Sequence, residues 1–281
     1  MYLSGSVGYT LLKHKSLNKY IFLLADIHDG VSYCSQDSMM IDRWLSLKDG
    51  NDILLEEAVR ESFDLTDLWP GAEHTQRLKK LNKSNNKIQP VDIRPLLIPF
   101  SWELLGDIKN ETKEQSNMIL EEYLSYINNI FNYKKSKLML EYIVPSLKKL
   151  KTEGDGNMKK ILLLHFQEMK ELYIELINDN KLTLKKTMKE LFNSNPDLLE
   201  EINNITSMLM EWYILVLILN SKENCIIHLG LAHSNRILDF LTEVYSFEVI
   251  KKSGINIMED INDNPPKACL LVPDEINRKF K

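Results

Sequence analysis

Two histidines carry the strongest chemical signal in this sequence. The first closes the segment Leu23-Leu24-Ala25-Asp26-Ile27-His28-Asp29-Gly30, and the second lies in His228-Leu229-Gly230-Leu231-Ala232-His233-Ser234-Asn235. Each unit is an apolar run ending in a small residue, then two residues, then the imidazole. A lone strand-end histidine is ordinarily a hydrogen-bonded core residue. Two in matched contexts, at opposite ends of the chain, point instead to a shared site. In open parallel sheets ligands bind in the crevice beyond the carboxyl ends of the strands. A small residue at a strand end lets backbone or ligand approach closely.

Acidic residues follow the other strand-like runs. Asp52-Ile53-Leu54-Leu55 leads into Glu56 and Glu57, and Pro90-Val91 leads into Asp92, Ile93 and Arg94. If these strands are neighbours, Glu56 or Glu57, Asp92, His28 and His233 meet. Imidazole with carboxylate suits manganese, cobalt, zinc or a similar divalent ion. Arg94 has the planar fork to hold a substrate oxyanion or carboxylate. The remaining histidines read otherwise: His14 and His74 as surface-loop residues, of which His74 with Glu73 could line the rim of a site, His165 as part of an apolar helix, His228 as a supporting partner.

The elements that must position these groups fall into three zones. Up to about residue 101, short apolar runs such as Tyr20–Ala25, Asp52–Leu55 and Ile88–Ile93 predict buried strands. The first twelve residues suggest an edge hairpin with Gly5 and Gly8 in its turn, and Ser38–Leu47 predicts a helix. From 102 to 220 apolar residues recur every three or four positions, as in Tyr123, Leu124, Ile127, Ile130 and Phe131, and predict an all-helical insertion. From 221 onward strands return at Asn224–Gly230, Phe247–Lys251 and Ala268–Val272, the last closing the sheet, with a helix over Ser234–Val244. The expected fold is α/β: a mostly parallel mixed sheet flanked by helices, built from residues 1–101 and 221–281, with a helical insertion between.

Composition narrows the class. The 281 residues are 44% hydrophobic and 27% charged, which is globular usage rather than disorder. A net charge of −5 gives no general attraction to nucleic acid or anionic membrane. Cys34, Cys225 and Cys269 form no CxxC pair and predict neither a disulfide framework nor a zinc ribbon, so a reducing, cytoplasmic setting is expected and Cys34 reads as a buried free thiol. The apolar stretch Trp212–Leu219 is shorter than the roughly 20 residues of a membrane span. The N-terminus lacks the pattern of a signal peptide. The expected partner is a small-molecule or peptide substrate, with no nucleic acid and no membrane; an oligomer is compatible with all of this. No Gly-x-Ser-x-Gly elbow, Walker loop or dinucleotide fingerprint occurs.

The paired small-x-x-His motifs, the strand-end Glu56 and the later Asp92 resemble the superfamily that contains erythromycin esterase, the haem-binding ChaN proteins and the TraB and Tiki proteins. Gly230-Leu231-Ala232-His233 matches its Gly-x-x-His motif in full, whereas the first copy has Ala25 in place of glycine and Asp26 where the esterase branch has Gly-Glu. The resemblance spans Tyr20–Arg94 and Asn224–Val272. It implies a hydrolase cleaving an ester or amide bond, metal-dependent in some members. His28 and His233 would then be ligands or bases, and Glu56 would bind metal or activate water. Arg94, Asp92, Asp26 and Glu57 would complete the pocket. The departure at Ala25 is also compatible with a member that binds a small molecule or protein without catalysis. A second resemblance is to the Asp-x-His opening of calcineurin-like metallophosphoesterases, carried by Asp26 and His28, but the later motifs of that family are missing.

Overall fold

A computed structural model describes residues 1–59, 71–84, 88–98, 117–132, 139–153 and 156–281. The chain is mixed α/β and divides into two compact units. One comprises Met1–Glu57, Asp64–Val91 and Ser221–Lys281; the other comprises Ala58–Phe63 and Asp92–Asn220.

Among the described residues the strands are β1 (Tyr2–Ser4), β2 (Gly8–His14), β3 (Tyr20–Asp26), β4 (Ser32–Tyr33), β5 (Met39–Met40), β6 (Asp52–Ala58), β7 (Ile88–Asp92), β8 (Cys225–Gly230), β9 (Phe247–Gly254) and β10 (Lys267–Leu271). Six form one sheet in the order β7-β6-β8-β3-β2-β9, and four form a small sheet in the order β4-β10-β1-β5. In the large sheet β8 runs parallel to both β3 and β6. The β8 strand is buried along its whole length, and β3 beyond its first residue. That is why their sequences read as continuous apolar runs rather than alternating ones. Phe22 packs 5.2 Å from Tyr9 and 5.7 Å from both Trp44 and Phe280, centroid to centroid. Burying each such side chain stabilises the fold by about 1.5–3 kcal/mol.

Four expectations are corrected here. The N-terminal residues form no hairpin: β1 joins the small sheet and β2 the large one, because Gly5 turns the chain at φ 106°. The β10 strand pairs with β1 and β4 instead of closing the large sheet. Met39 and Met40 are strand, so helix α1 is only Ile41–Ser46. Cys34 is no free thiol, since it forms a disulfide with Cys269, and Cys225 is the free, buried cysteine. The bridge follows the β4–β10 ladder in register: Ser32 pairs with Lys267, Tyr33 with Ala268, and the next two residues are the bonded cysteines. Sequence spacing conceals this, because the partners are 235 residues apart.

Helix α2 (Glu73–Ser84) also belongs to the first unit. The described helices of the second unit are α3 (Arg94–Leu97), α4 (Leu120–Phe131), α5 (Val144–Glu153), α6 (Gly156–Asp179), α7 (Met188–Ser194) and α8 (Pro196–Asn220), with a π-helical turn at Met139–Ile143. The stripe Tyr123, Leu124, Ile127, Ile130 and Phe131 is buried, and Phe131 contacts Phe166 and Tyr173. Pro196 opens α8 at a position where its missing N–H has no intrahelical partner to lose. At 25 residues α8 is much longer than its most apolar stretch, and by length and composition it could cross a membrane; 72% of its most apolar window is buried within the structure. Trp102, where the helical insertion was expected to begin, lies outside the described residues.

The chain re-enters the first unit after α8. Helix α9 (Leu231–Asp239) begins directly after β8, three residues earlier than expected, and continues as a π-helical turn over Phe240–Val244. Helix α10 (Asp274–Lys279) ends the fold.

Candidate active site

Because β3 and β6 flank β8 and all three run parallel, their carboxyl ends are adjacent. The ladder sets Asp26 level with Gly230 and Leu55 level with His228. Two residues past β3 comes His28, on a loop. Three residues past β8 comes His233, in the first turn of α9. The two sequence motifs are therefore not structural copies. Both side chains nevertheless turn toward Glu56: His28 Nε2 lies 3.7 Å from Glu56 Oε2, and His233 Nε2 lies 3.4 Å from Glu56 Oε1. The Glu56 side chain is 6% exposed and that of His28 is 49% exposed. A buried carboxylate thus sits between a solvent-accessible imidazole and a largely buried one.

Glycine at 230 makes this possible. A β-carbon there would fall 2.8 Å from His28 Nε2, so that the ring would have to shift, and 3.2 Å from Glu56 Oε2, a tight contact. Its backbone N–H also donates to Glu56 Oε2 at 2.5 Å, fixing the carboxylate at the start of α9. Negative charge is favoured at a helix N-terminus.

The protonation pattern follows from what each partner can do. Asp26 Oδ2 accepts from His28 Nδ1 at 2.9 Å. In the neutral ring that puts the His28 proton on Nδ1 and the lone pair on Nε2. The His28 carbonyl is itself held, accepting from the Ala72 N–H at 2.7 Å and the Thr75 hydroxyl at 3.2 Å. Arg236 Nη2 donates to His233 Nδ1 at 3.2 Å; a guanidinium only donates, so the His233 proton is on Nε2, facing Glu56. The two rings therefore face Glu56 differently: His28 bonds Asp26 through Nδ1, whereas His233 bonds Arg236 through Nδ1 and turns its Nε2 to Glu56.

Behind His28 lies a residue that sequence reasoning misplaced. His74 is fully buried, not a surface-loop residue, and its Nε2 donates to Asp26 Oδ1 at 2.6 Å. Its Nδ1 is 3.0 Å from the Tyr33 hydroxyl. Burial alone would raise the Asp26 pKa, but hydrogen bonds from His28 and His74 outweigh it. With the nearby His228 they hold the carboxyl well below the ordinary carboxylate range. His228 donates to the Gly5 carbonyl at 3.3 Å, and complete burial lowers its pKa from the usual 6.5. It supports the site from beneath.

Glu57, next to Glu56 on β6, is only partly buried, and strand alternation turns it to the other face. Asp92 and Arg94 belong to the second unit. There they pair with one another, Arg94 donating from Nε at 2.8 Å, Nη2 at 2.9 Å and the backbone N–H at 3.0 Å. The bidentate fork expected for a substrate anion is spent on Asp92.

A divalent ion would need lone pairs that these groups do not offer together. His28 Nε2 and Glu56 are suitable donors, but His233 presents a protonated nitrogen, and both Asp26 oxygens accept from histidines. Among the described residues no group of three or more His, Cys, Asp or Glu side chains has an arrangement that could hold a metal ion. The set as placed does not fit one. Compared with family models, curated proteins and solved structures, the chain matches none.

Proposed function

We propose that this chain is a hydrolase of ester or amide bonds in which His28 is the general base, in keeping with the resemblance of its paired histidine motifs to the erythromycin esterase, TraB and Tiki group. The observation that carries this reading is the Asp26–His28–Glu56 arrangement. A buried carboxylate fixes the imidazole tautomer from behind, and Nε2 of the half-exposed ring faces Glu56. His28 Nε2 takes a proton from water as its oxygen bonds to the substrate carbonyl carbon. The resulting imidazolium is stabilised by Asp26 and faced by Glu56, then returns the proton to the leaving oxygen or nitrogen as the scissile bond breaks. The products are one acid and one alcohol or amine. General base catalysis of this kind contributes about 10²–10⁴-fold.

His233 holds Glu56 by its Nε2–H, with Arg236 fixing the ring. No step requires a metal ion. The cytoplasmic setting expected from the cysteine count is not part of this reading, because a Cys34–Cys269 bridge persists where thiols are oxidised. The test is a panel of p-nitrophenyl acetate, p-nitrophenyl butyrate, an acyl p-nitroanilide and p-nitrophenyl phosphate, each with and without a chelator. Release from the acyl compounds that survives chelation is expected. Release from the phosphate alone, abolished by chelation, would favour the metallophosphoesterase reading. No release from any would leave a binding protein.

A further inference from the structure

The hydrogen bonds behind His28 are anchored by an ionised acceptor. Asp26 holds no proton to give, so the His74 Nε2 that lies 2.6 Å from Asp26 Oδ1 carries one and donates it. Tyr33 Oη accepts the backbone N–H of His74 at 3.1 Å and lies 3.0 Å from His74 Nδ1; with the ring neutral, the Tyr33 hydroxyl is the donor of that second bond. The other Asp26 oxygen receives the His28 Nδ1 proton. We propose that Tyr33 and His74 are positioning residues for His28: they lock the Asp26 carboxylate in the one orientation that keeps the His28 proton on Nδ1 and its lone pair on Nε2. The assignment rests on His28 being the base.

The surroundings of this arm constrain it from several sides. Tyr33 and His74 meet edge to face, with ring centroids 5.8 Å apart. A β-carbon at Gly5 would lie 2.8 Å from the His74 β-carbon, so the ring sits against bare backbone with no room to swing. Tyr33 lies on a two-residue strand and is followed at once by the Cys34–Cys269 bridge, which ties that strand to β10. A side-chain carboxylate that loses one of two donors regains rotation about its terminal torsion. The other titratable groups near this arm are His228 beside Asp26, Glu73 beside Tyr33 and Glu56 in front of His28.

Histidine-selective 15N labelling separates this role from simple packing, because ring 15N and 1H shifts report which nitrogen carries the proton. The wild-type protein is expected to show His74 in the Nε2–H form and His28 in the Nδ1–H form. In Tyr33→Phe, His74 is expected to leave its single tautomer and His28 to lose its protected Nδ1–H signal. Turnover of p-nitrophenyl acetate is expected to fall by up to about 10²-fold in kcat, with KM little changed. If Tyr33→Phe does not fold, His74→Gln reads the same quantity, since its amide still donates to Asp26 but cannot be set by Tyr33; it is expected to broaden the same His28 signal. An unchanged His28 tautomer with kcat within twofold of wild type would overturn the proposal. If the wild-type protein turns over no ester, the hydrolase reading falls, while the ring spectra alone still decide whether Tyr33 and His74 set His28.

Discussion

A methyl group on the α-carbon of Gly230 would press within 2.8 Å of His28 Nε2, the atom turned toward Glu56. The strand end and the base are thus matched in size, although 202 residues separate them in the chain. Gly230→Ala is expected to push His28 and Glu56 apart, at a stability cost of about 1–3 kcal/mol typical of overpacking. Ester turnover should fall well beyond what that cost explains. Steady-state rates beside a thermal melt measure both. Unchanged turnover would show that His28 does not work from the position described.

His233→Gln is expected to keep most of the turnover, because the glutamine amide can donate to Glu56 as the His233 Nε2–H does. His233→Ala removes one of the groups that hold the buried Glu56 carboxylate, at a cost of about 1–3 kcal/mol. The comparison is made by kcat/KM on one ester. Were both variants equally dead and metal content lost with them, His233 would be a ligand rather than a donor.

Acid should destabilise the protein in two stages. Burial holds the folded-state pKa of His228 below 6.5. Below that pH the unfolded chain binds a proton that the folded chain refuses, and stability falls as pH drops. The Asp26 pKa is held below its ordinary 3.8, so the stability it contributes is present above that value and lost as pH falls further. Urea melts from pH 8 to pH 2 should show the first stage in full and the onset of the second, and His228→Asn should remove the first. A melt midpoint that rises on acidification would contradict the assignment.

The Cys34–Cys269 bridge closes a loop of 235 residues. Its removal in Cys34→Ser/Cys269→Ser is expected to cost about 3–5 kcal/mol, because the unfolded chain regains the freedom the bridge denied it. Urea midpoints of this variant against wild type, both without reductant, give the number. Equal midpoints would mean the bridge is not formed in solution.

The residues themselves explain what was readable from sequence. The continuous apolar runs of β3, β6 and β8 gave the central strands, and the small-x-x-His spacing gave His28 and His233. Asp26 and His28 sit two apart, and His233 and Arg236 three apart on a helix, so both pairings were within reach of local periodicity. His74 was not. It reaches Asp26 only because Gly5 leaves room and Tyr33 arrives from a different sheet, and neither contact leaves a local trace. The Cys34–Cys269 pairing was hidden for the same reason, since a parallel register between β4 and β10 exists only after folding.

The central claim is that His28 is a base made effective by Asp26, and His28→Ala tests it most directly. Initial rates on p-nitrophenyl acetate in the presence of chelator should fall by about 10²–10⁴-fold in the variant. Its stability should fall by no more than about 1–3 kcal/mol, the cost of one donor lost to the buried Asp26, because the side chain is 49% exposed and little packing goes with it. A variant that keeps its turnover, or that loses it only by losing its fold, would contradict the account.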